Sequence, residues 1–219
     1  MNFDRLASHY DWLETFTAGD RLQVARAFWL EKLTGCCRIL SAGEGHGRFV
    51  AACAARFPDA EITCVEASPQ MLRQAKRRLL DSGANIHWHS DDVRNWKPEG
   101  KYNAVVTCFL LDCFQPDELA EVVAKLAASA TEDAFWLVVD FAVPPRGLAR
   151  WRAQVVHALM YAFFRCVAAL PARRLTPPDD LLRAQGFALI YRREFEWGLI
   201  RADLWRRCSE ESARPLGER

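Results

Sequence analysis

The amino-acid sequence predicts an α/β fold with a mostly parallel sheet and helices on both faces. Strand-like apolar runs alternate with helix-compatible runs along the chain, which is the pattern of such sheets. Residues 102–109 are almost continuously apolar, as expected for a central parallel strand buried on both faces. Gly43, Gly45 and Gly47 lie between a short apolar run and a helix-compatible run at 49–56. These glycines therefore mark a strand-to-helix turn.

Length and composition favour a single domain in a reducing compartment. The chain has 219 residues, 51% of them hydrophobic, and contains no linker, low-complexity tract or internal repeat. Its eight cysteines are scattered without a Cys-x-x-Cys pair, which argues for a cytoplasmic protein without a zinc site or disulfide framework. No basic segment followed by an apolar one opens the chain, so we expect no signal peptide. The net charge of +1 argues against a nucleic-acid partner.

The glycine turn predicts a nucleotide-type binding site. Glycine allows a positive φ and lets a ligand approach the main chain without meeting a Cβ, and the following helix presents free N–H groups. The third glycine comes one residue too early for the Gly-x-Gly-x-x-Gly dinucleotide pattern. The next predicted strand, 61–65, leads to Glu66, whose carboxylate can accept hydrogen bonds from both ribose hydroxyls. A Gly-x-Gly-x-Gly turn followed by this strand-end acid resembles the class I S-adenosylmethionine-dependent methyltransferases.

The resemblance implies a Rossmann-like, seven-stranded methyltransferase fold, with an antiparallel last strand, that binds S-adenosyl-L-methionine. In this family the acid at the position of Glu66 holds the ribose, and the residues after it line the adenine pocket. An Asp after the third strand faces the adenine amino group; Asp92 aligns best with it, and Asp91 is one residue away. The predicted cofactor-binding residues are Gly43, Glu44, Gly45, Gly47, Glu66, Ala67, Met71, Asp91, Asp92, Val93 and Cys108.

One position departs from the family pattern. The first strand of these enzymes usually ends in an acidic residue that helps to hold the methionine amino group, and this chain has Ser41 there. Glu44, inside the turn, is placed to compensate in part. The departure leaves two functions open: a small-molecule methyltransferase, or a catalytically silent S-adenosyl-ligand-binding or interaction protein that kept the fold.

The predicted acceptor site lies beyond the carboxyl ends of the central strands, where parallel sheets bind ligands. Asp112 is the only ionisable group in residues 107–112. It is therefore the first candidate to orient or deprotonate an acceptor, with a turn-capping role as the alternative. Residues 7–11 resemble a family segment that folds over the cofactor. This makes Tyr10 a candidate cover for cofactor or substrate, with simple packing of the segment as the alternative.

Residues 148–170 are the least standard part of the chain. Their apolar, aromatic face fits a lid over a hydrophobic substrate, an interfacial membrane helix, a dimer contact or ordinary packing against the sheet. Insertions here cover the acceptor in related enzymes, so His157 and Tyr161 are secondary catalytic candidates. The expected organisation is an N-terminal helical cover (1–35), an S-adenosylmethionine-binding core (36–145), a helical lid (146–175), a C-terminal strand pair of the same domain (176–209) and a tail (210–219).

The expected chemistry is in-line methyl transfer to a small, largely hydrophobic acceptor. Such a transfer depends on holding the acceptor close and aligned, so the lack of an obvious catalytic group does not exclude an enzyme. Motifs for methylation of base amino groups, of pyrimidine rings and of metal-bound catechols are missing. His87 and His89 share a strand face without a third ligand nearby, so we predict no metal site. Residues 140–144 resemble the strand ending of methyltransferases in ubiquinone and menaquinone biosynthesis.

Overall fold

The computed structural model describes the backbone of residues 19–168 and 175–208, and the side chains of 21–159 and 175–208. A seven-stranded sheet organises this part of the chain. Its strands are β1 (Arg38–Ala42), β2 (Glu61–Val65), β3 (Ile86–His89), β4 (Tyr102–Cys108), β5 (Ala130–Phe141), β6 (Phe187–Phe195) and β7 (Ile200–Arg207). The α-helices are α1 (Gly19–Ala27), α2 (Arg48–Arg56), α3 (Pro69–Arg78), α4 (Pro116–Ala128), α5 (Gly147–Ala168) and α6 (Asp179–Ala184).

The sheet has the strand order β3-β2-β1-β4-β5-β7-β6. The first five strands are parallel, and β7 runs antiparallel between β5 and β6. The predicted seven-stranded, mostly parallel fold is therefore confirmed. The chain winds outward in one direction from β1 to β3 and in the other from β4 onward. The crevice beside the carboxyl ends of β1 and β4 is thus the switch point at which open α/β sheets bind ligands.

Two element boundaries differ from what the apolar pattern of the sequence predicts. The pattern predicts the fifth strand from Ala134, but β5 begins at Ala130, because Ala130 pairs with Tyr102 before an irregularity in the ladder. The pattern also predicts one helix from residue 20 to 33, but α1 ends at Ala27 and a 3₁₀ turn (Leu30–Leu33) follows. Tertiary contacts at the break account for the interruption.

Trp29 holds the interrupted segment against the far strands of the sheet. Its indole N–H donates to the carbonyl oxygen of Ala202 over 3.0 Å, and its ring stacks on Tyr191 with centroids 5.1 Å apart. Phe28 packs edge-on against Phe195 at 5.3 Å. These contacts orient the chain between α1 and β1 more strongly than local helix propensity does.

Side chains cap the helices that follow β2 and β4. Ser68 precedes α3, and its Oγ accepts from the Met71 N–H over 3.2 Å, as the sequence predicts. Gln115 and Glu118 form a capping box at the start of α4, where a proline occupies the first turn. Both helices therefore start at fixed points just beyond the carboxyl edge of the sheet.

The core lies on both faces of the sheet. One cluster joins α1 and α2 to the sheet through residues such as Leu33, Phe49 and Ile62; the other joins α4 to the opposite face through residues such as Leu119 and Trp136. The Trp136 indole N–H donates to the Thr107 hydroxyl over 3.1 Å, which satisfies a polar group deep in the core. A rigid, two-faced core thus fixes the carboxyl edge that carries the site.

Candidate active site

The three glycines of the turn adopt positive φ values of 70° (Gly43), 69° (Gly45) and 86° (Gly47). A Cβ on Gly43 would lie 2.7 Å from Leu110 Cδ1, and one on Gly47 would lie 2.7 Å from Ala75 Cα. A Cβ on Gly45 would meet nothing within 4 Å. Close packing of the protein itself therefore requires the outer glycines, while Gly45 alone faces open space where a ligand can approach.

The Glu66 carboxylate lies directly beside this open position. Its Oε2 accepts from the Gly45 N–H over 2.8 Å, and its Oε1 accepts from the Ser68 N–H over 2.7 Å. Burial raises the pKa of Glu66, and the backbone hydrogen bonds from Ser68 and Gly45 lower it. Each carboxylate oxygen can accept a second hydrogen bond. The side chain is thus fixed in place with acceptor capacity left over.

Glu44 has a different role from the expected one. The Ser41 hydroxyl donates to Glu44 Oε2 over 2.6 Å, and the N–H groups of Phe49 and Val50 donate to Oε1 over 3.0 and 3.1 Å. The carboxylate therefore caps the N-terminus of α2, which favours a negative charge. Burial raises its pKa. Ser41 and Glu44 therefore form a hydrogen-bonded pair at the start of α2.

A buried arginine lies close to this pair. Arg26 on α1 is 6% exposed, and its charge lowers the pKa values of Glu44 and Cys108. Its guanidinium lies 5.1 Å from the ring centroid of Phe109. Phe109 follows β4 with a φ of 55°, which is uncommon for a residue with a side chain. Sequence analysis missed Arg26, because only the packing of α1 brings it to the sheet edge.

The two predicted adenine-facing acids, Asp91 and Asp92, have different surroundings in the structure. Arg94 donates to both Asp92 oxygens, from Nε over 3.0 Å and from Nη2 over 2.7 Å, and it also bonds Glu118 on α4. The side-chain hydrogen bond from Arg94 lowers the pKa of Asp92. Asp91 is half-buried and has no side-chain partner in residues 21–159 and 175–208. Asp92 fixes the loop, and Asp91 keeps its acceptor atoms for a ligand.

The other predicted cofactor residues lie at or just beyond the same edge. Ala67 is exposed, whereas Met71 and Val93 are buried. Cys108 ends β4 and is half-buried; desolvation raises its pKa, so its sulfur stays a neutral thiol. The structure brings these side chains together around the crevice between β1, β2 and β4.

Asp112 and Asp140 form a pair of buried carboxyl groups at the end of β4 and β5. Asp112 lies in the 3₁₀ turn after β4, Asp140 lies next to the end of β5, and both side chains line the same cavity. They are 7% and 6% exposed. Burial raises the pKa of Asp112; burial and the neighbouring Asp112 raise that of Asp140 well above its ordinary range. Sequence analysis proposed Asp112 and missed its partner, although adjacent parallel strands both ending near an acid were a usable signal.

A cavity of about 120 Å³ opens onto this pair. Arg201 and Thr176 add polar groups to its wall, and the rest is mainly apolar, including Phe141 and Leu175. The Arg201 guanidinium bonds Asp179 and Asp203, so it is held against β7 rather than reaching across the cavity. The arrangement can take a small group with a polar atom on one side and an apolar body on the other.

His157 on α5 lies behind the same wall. Its ring packs edge-on against Phe141 with centroids 5.8 Å apart, and it is 5% exposed. Burial lowers its pKa, so the imidazole is neutral at pH 7. Tyr10 lies outside the described residues, and so does the side chain of Tyr161.

Two remaining predictions concern a metal pair and the apolar helix. His87 is exposed and lies 3.7 Å from the Glu61 carboxylate, while His89 packs against Trp96. The described residues contain no group of three metal-ligating side chains.

Helix α5 exposes the apolar side chains of Leu148 (83% exposed) and Trp151 (67% exposed). Among the described helices, none has the length and apolar character needed to cross a membrane.

Comparison with known proteins agrees with the geometry. The family model described as "Methyltransferase domain" matches residues 39–133. A malonyl-[acyl-carrier protein] O-methyltransferase of Ilyobacter polytropus is 32% identical over 105 residues, which is 48% of this chain and 34% of that protein. A ubiquinone/menaquinone biosynthesis C-methyltransferase of Syntrophotalea carbinolica is 38% identical over 87 residues, 38% of this chain and 36% of the relative. The chain thus spans about a third of the length of these curated relatives.

Solved structures share the fold across nearly the whole chain. The mitomycin 7-O-methyltransferase aligns with a TM-score of 0.71 at 17% identity, covering 95% of this chain and 61% of its own. The 1,6-didemethyltoxoflavin-N1-methyltransferase of Burkholderia thailandensis, solved with bound S-adenosylhomocysteine, aligns with a TM-score of 0.69 at 18% identity, covering 94% and 86%.

The sheet order and the glycine turn define a methyltransferase fold of the Rossmann-like type. The family model places a methyltransferase domain at residues 39–133, and the named relatives are methyltransferases. These similarities support S-adenosyl-L-methionine as the ligand of the crevice. The residues present fit that group. Gly45 leaves room for it, Glu66 offers acceptor atoms beside that room, and Asp91 adds a carboxylate without a partner in the described residues.

Proposed function

We propose that the protein transfers a methyl group from S-adenosylmethionine to a small, largely hydrophobic acceptor. The observation that carries this proposal is the Glu66 carboxylate fixed against the open Gly45 position. Bound S-adenosylmethionine supplies a methyl group on a sulfonium, which an acceptor displaces in line. The main task of the chain is then to hold two molecules in register and to exclude water.

The proposed cofactor contacts divide along the crevice. Glu66 accepts from the ribose hydroxyls, Asp91 accepts from the adenine amino group, and Met71 and Val93 form the apolar walls beside the base. These roles are supported by the remaining acceptor capacity of both carboxylates and by the burial of the two apolar side chains.

Arg26 takes the methionine end in this proposal. A carboxylate needs a cation or several donors when it leaves water, and Arg26 is a buried cation whose charge acts on Cys108 at the end of β4. Ser41 replaces the acid that usually holds the methionine amino group. In this assignment the protein binds the methionine carboxylate through Arg26, so that acid is not required.

The acceptor lies on the other side, at the carboxyl ends of β4 and β5. Asp112 orients or deprotonates it, and His157 supports the wall through Phe141. Residues 1–35, with Tyr10, cover the site, and residues 146–175 act as a lid whose exposed apolar side chains contact a hydrophobic substrate or a membrane surface. The protein works in the cytoplasm.

Calorimetric titration with S-adenosylmethionine, S-adenosylhomocysteine and NAD tests the proposal first. We expect both adenosyl ligands to bind and NAD to be rejected; tight binding of NAD alone contradicts the assignment. Turnover on quinols, phenols and amines, followed as S-adenosylhomocysteine release, then distinguishes an enzyme from a silent binding protein. The named relatives do not favour the silent alternative.

A further inference from the structure

We propose that Asp112 and Asp140 act as one group, a carboxyl pair that shares a single proton and accepts the proton of a neutral hydroxyl or amine acceptor. The site consequently rejects acceptors that carry a carboxylate at the reacting position. This inference rests on the proposed methyl transfer and specifies the acceptor class of the same site.

The geometry of the pair supports a shared proton. The two carboxyl groups are buried at the ends of neighbouring strands, and both line the cavity of about 120 Å³. Within residues 21–159 and 175–208, neither Asp140 oxygen receives a hydrogen bond of ordinary geometry. Two acceptor-only groups would repel each other in such a place, whereas one proton between them creates a hydrogen bond. Desolvation raises the pKa of both groups in the same sense.

The charged groups next to the carboxyl pair are two arginines and two aspartates that bond one another. Arg201 and Arg192 both bond Asp179 and Asp203, with Nε-to-carboxylate distances to Asp203 of 2.8 Å for each arginine. Two cations and two anions cancel within that network. The charge of Arg201 also acts on Asp140 and lowers its pKa, but burial and the neighbouring Asp112 outweigh this effect, and two carboxylates already bond the arginine.

The other titratable groups packed around the pair are neutral. The thiol of Cys113 donates to Asp112 Oδ1 over 3.6 Å, and burial raises its pKa well above its usual value. His157, behind Phe141, has a lowered pKa because it is buried. With one proton, the pair thus carries a charge of −1, and the thiol and imidazole beside it are neutral.

The proton balance fits a neutral acceptor. As the acceptor oxygen or nitrogen bonds to the methyl carbon, the carbon–sulfur bond breaks and its electron pair stays on sulfur. The acceptor proton moves to the unprotonated member of the pair, which becomes a neutral diacid and later returns that proton to water. A carboxylate acceptor has no proton to give, and its charge faces the negative pair.

Aspartate-labelled ¹³C NMR of the full chain tests the shared proton. The samples are the wild type, Asp112→Asn, Asp140→Asn and the exposed control Asp59→Asn. We expect one aspartate carboxyl to titrate well above the ordinary range, and this step to shift downward when either partner is neutralised. Independent titration of both groups in the ordinary range, or an upper step unchanged in Asp112→Asn, overturns the proposal.

Binding of a shape-matched series tests the acceptor class. The probes are 1-naphthol, 1-naphthylamine and 1-naphthoate, titrated against the protein saturated with S-adenosylhomocysteine. We expect 1-naphthoate to bind the wild type at least about tenfold more weakly than 1-naphthol, the scale of one like-charge contact in a partly buried site. The difference should shrink in the double variant with Asn at both positions. Equal or tighter binding of 1-naphthoate to the wild type overturns the inference.

The two proposals fail in different ways. If S-adenosylhomocysteine does not bind, the proposed function is wrong, and the carboxyl titration can still be measured on the ligand-free protein. If it binds and the aspartates titrate independently, only the shared-proton inference is wrong.

Discussion

The cofactor side and the acceptor side of the sheet edge are built by different means. On the cofactor side, the recognition elements are backbone groups at a glycine turn and one carboxylate, Glu66, all close together in the chain. On the acceptor side, Asp112 and Asp140 line one cavity from different elements, and Arg201 on β7 bonds Asp179 on α6. The proposed cofactor contacts thus come mainly from one stretch of the chain, whereas the proposed acceptor site combines residues that are distant in sequence.

The difference also appears in how each side satisfies its charges. Glu44 and Glu66 are buried but receive backbone N–H groups from the turn and from the start of a helix. The Asp112–Asp140 pair lacks such donors at Asp140 within the described residues. Burial raises the pKa of all four carboxyl groups, and the backbone donors at Glu44 and Glu66 oppose that rise. A carboxylate with such donors can bind hydroxyl groups, and the aspartate pair can exchange protons.

The largest expected effect tests the cofactor side. Glu66→Ala should weaken S-adenosylhomocysteine binding by about 1.5–3 kcal/mol, the scale of lost hydrogen bonds to a charged group. Calorimetry measures the change, with the exposed Glu121→Ala variant on α4 as the control. An affinity equal to that of the control variant would show that the ribose lies elsewhere.

The next effect distinguishes the two ends of the cofactor. Arg26→Gln should weaken S-adenosylhomocysteine binding by about 1.5 kcal/mol, the lower end for a lost hydrogen bond to a charged group. Binding of 5′-methylthioadenosine, which lacks the amino-acid part, should not change. The control is Arg21→Gln on the same helix, where the side chain is exposed. Equal losses for both ligands would mean that Arg26 only supports the fold.

The geometry of the glycine turn was predictable from the sequence because its determinants are local. The glycine spacing, the acid after β2 and the Ser68 cap lie within one strand-turn-helix succession, where residue order fixes geometry. The surroundings of the two acids after β3 depend instead on tertiary contacts. The order of residues does not reveal that Arg94 uses both Asp92 oxygens.

The acceptor side was predictable only in part. Asp112 stood out as the ionisable group after β4, but its pairing with Asp140 depends on β4 and β5 being neighbours. Arg26 and Arg201 come from α1 and β7, at opposite ends of the described chain. Their places follow from packing and strand order, which residue spacing does not specify.

The third prediction concerns how the buried carboxyl pair on the acceptor side affects the free energy of unfolding. Asp140→Asn should raise the free energy of unfolding at pH 7 by about 1–2 kcal/mol, because the neutral amide removes the like-charge repulsion and can donate a hydrogen bond to the Asp112 carboxylate. The same substitution should lower turnover, because the proton acceptor is impaired. Urea denaturation measures the first quantity, and Asp59→Asn, which changes an exposed side chain, should alter neither.

The pH dependence of this effect has a definite sign. The pair has raised pKa values in the folded state compared with the ordinary 3.8. Its contribution to stability is therefore fully present below that value and is lost as the pH rises through the folded-state pKa values. As the pH rises above the ordinary 3.8, the wild type should lose stability relative to Asp140→Asn. A difference that stays constant over this rise would contradict raised pKa values.

The smallest expected effect separates two neighbouring acids on the cofactor side. Asp91→Ala should weaken S-adenosylhomocysteine binding by about 0.5–1.5 kcal/mol, the net value of one hydrogen bond. It should leave thermal stability unchanged, because Asp91 has no partner in the described residues. Asp92→Ala should do the reverse, since it releases Arg94 from the loop while Arg94 keeps its bond to Glu118. If Asp92→Ala instead reduces affinity with unchanged stability, the ion pair with Arg94 opens when the ligand binds, and the acceptor of the adenine amino group is Asp92 after all.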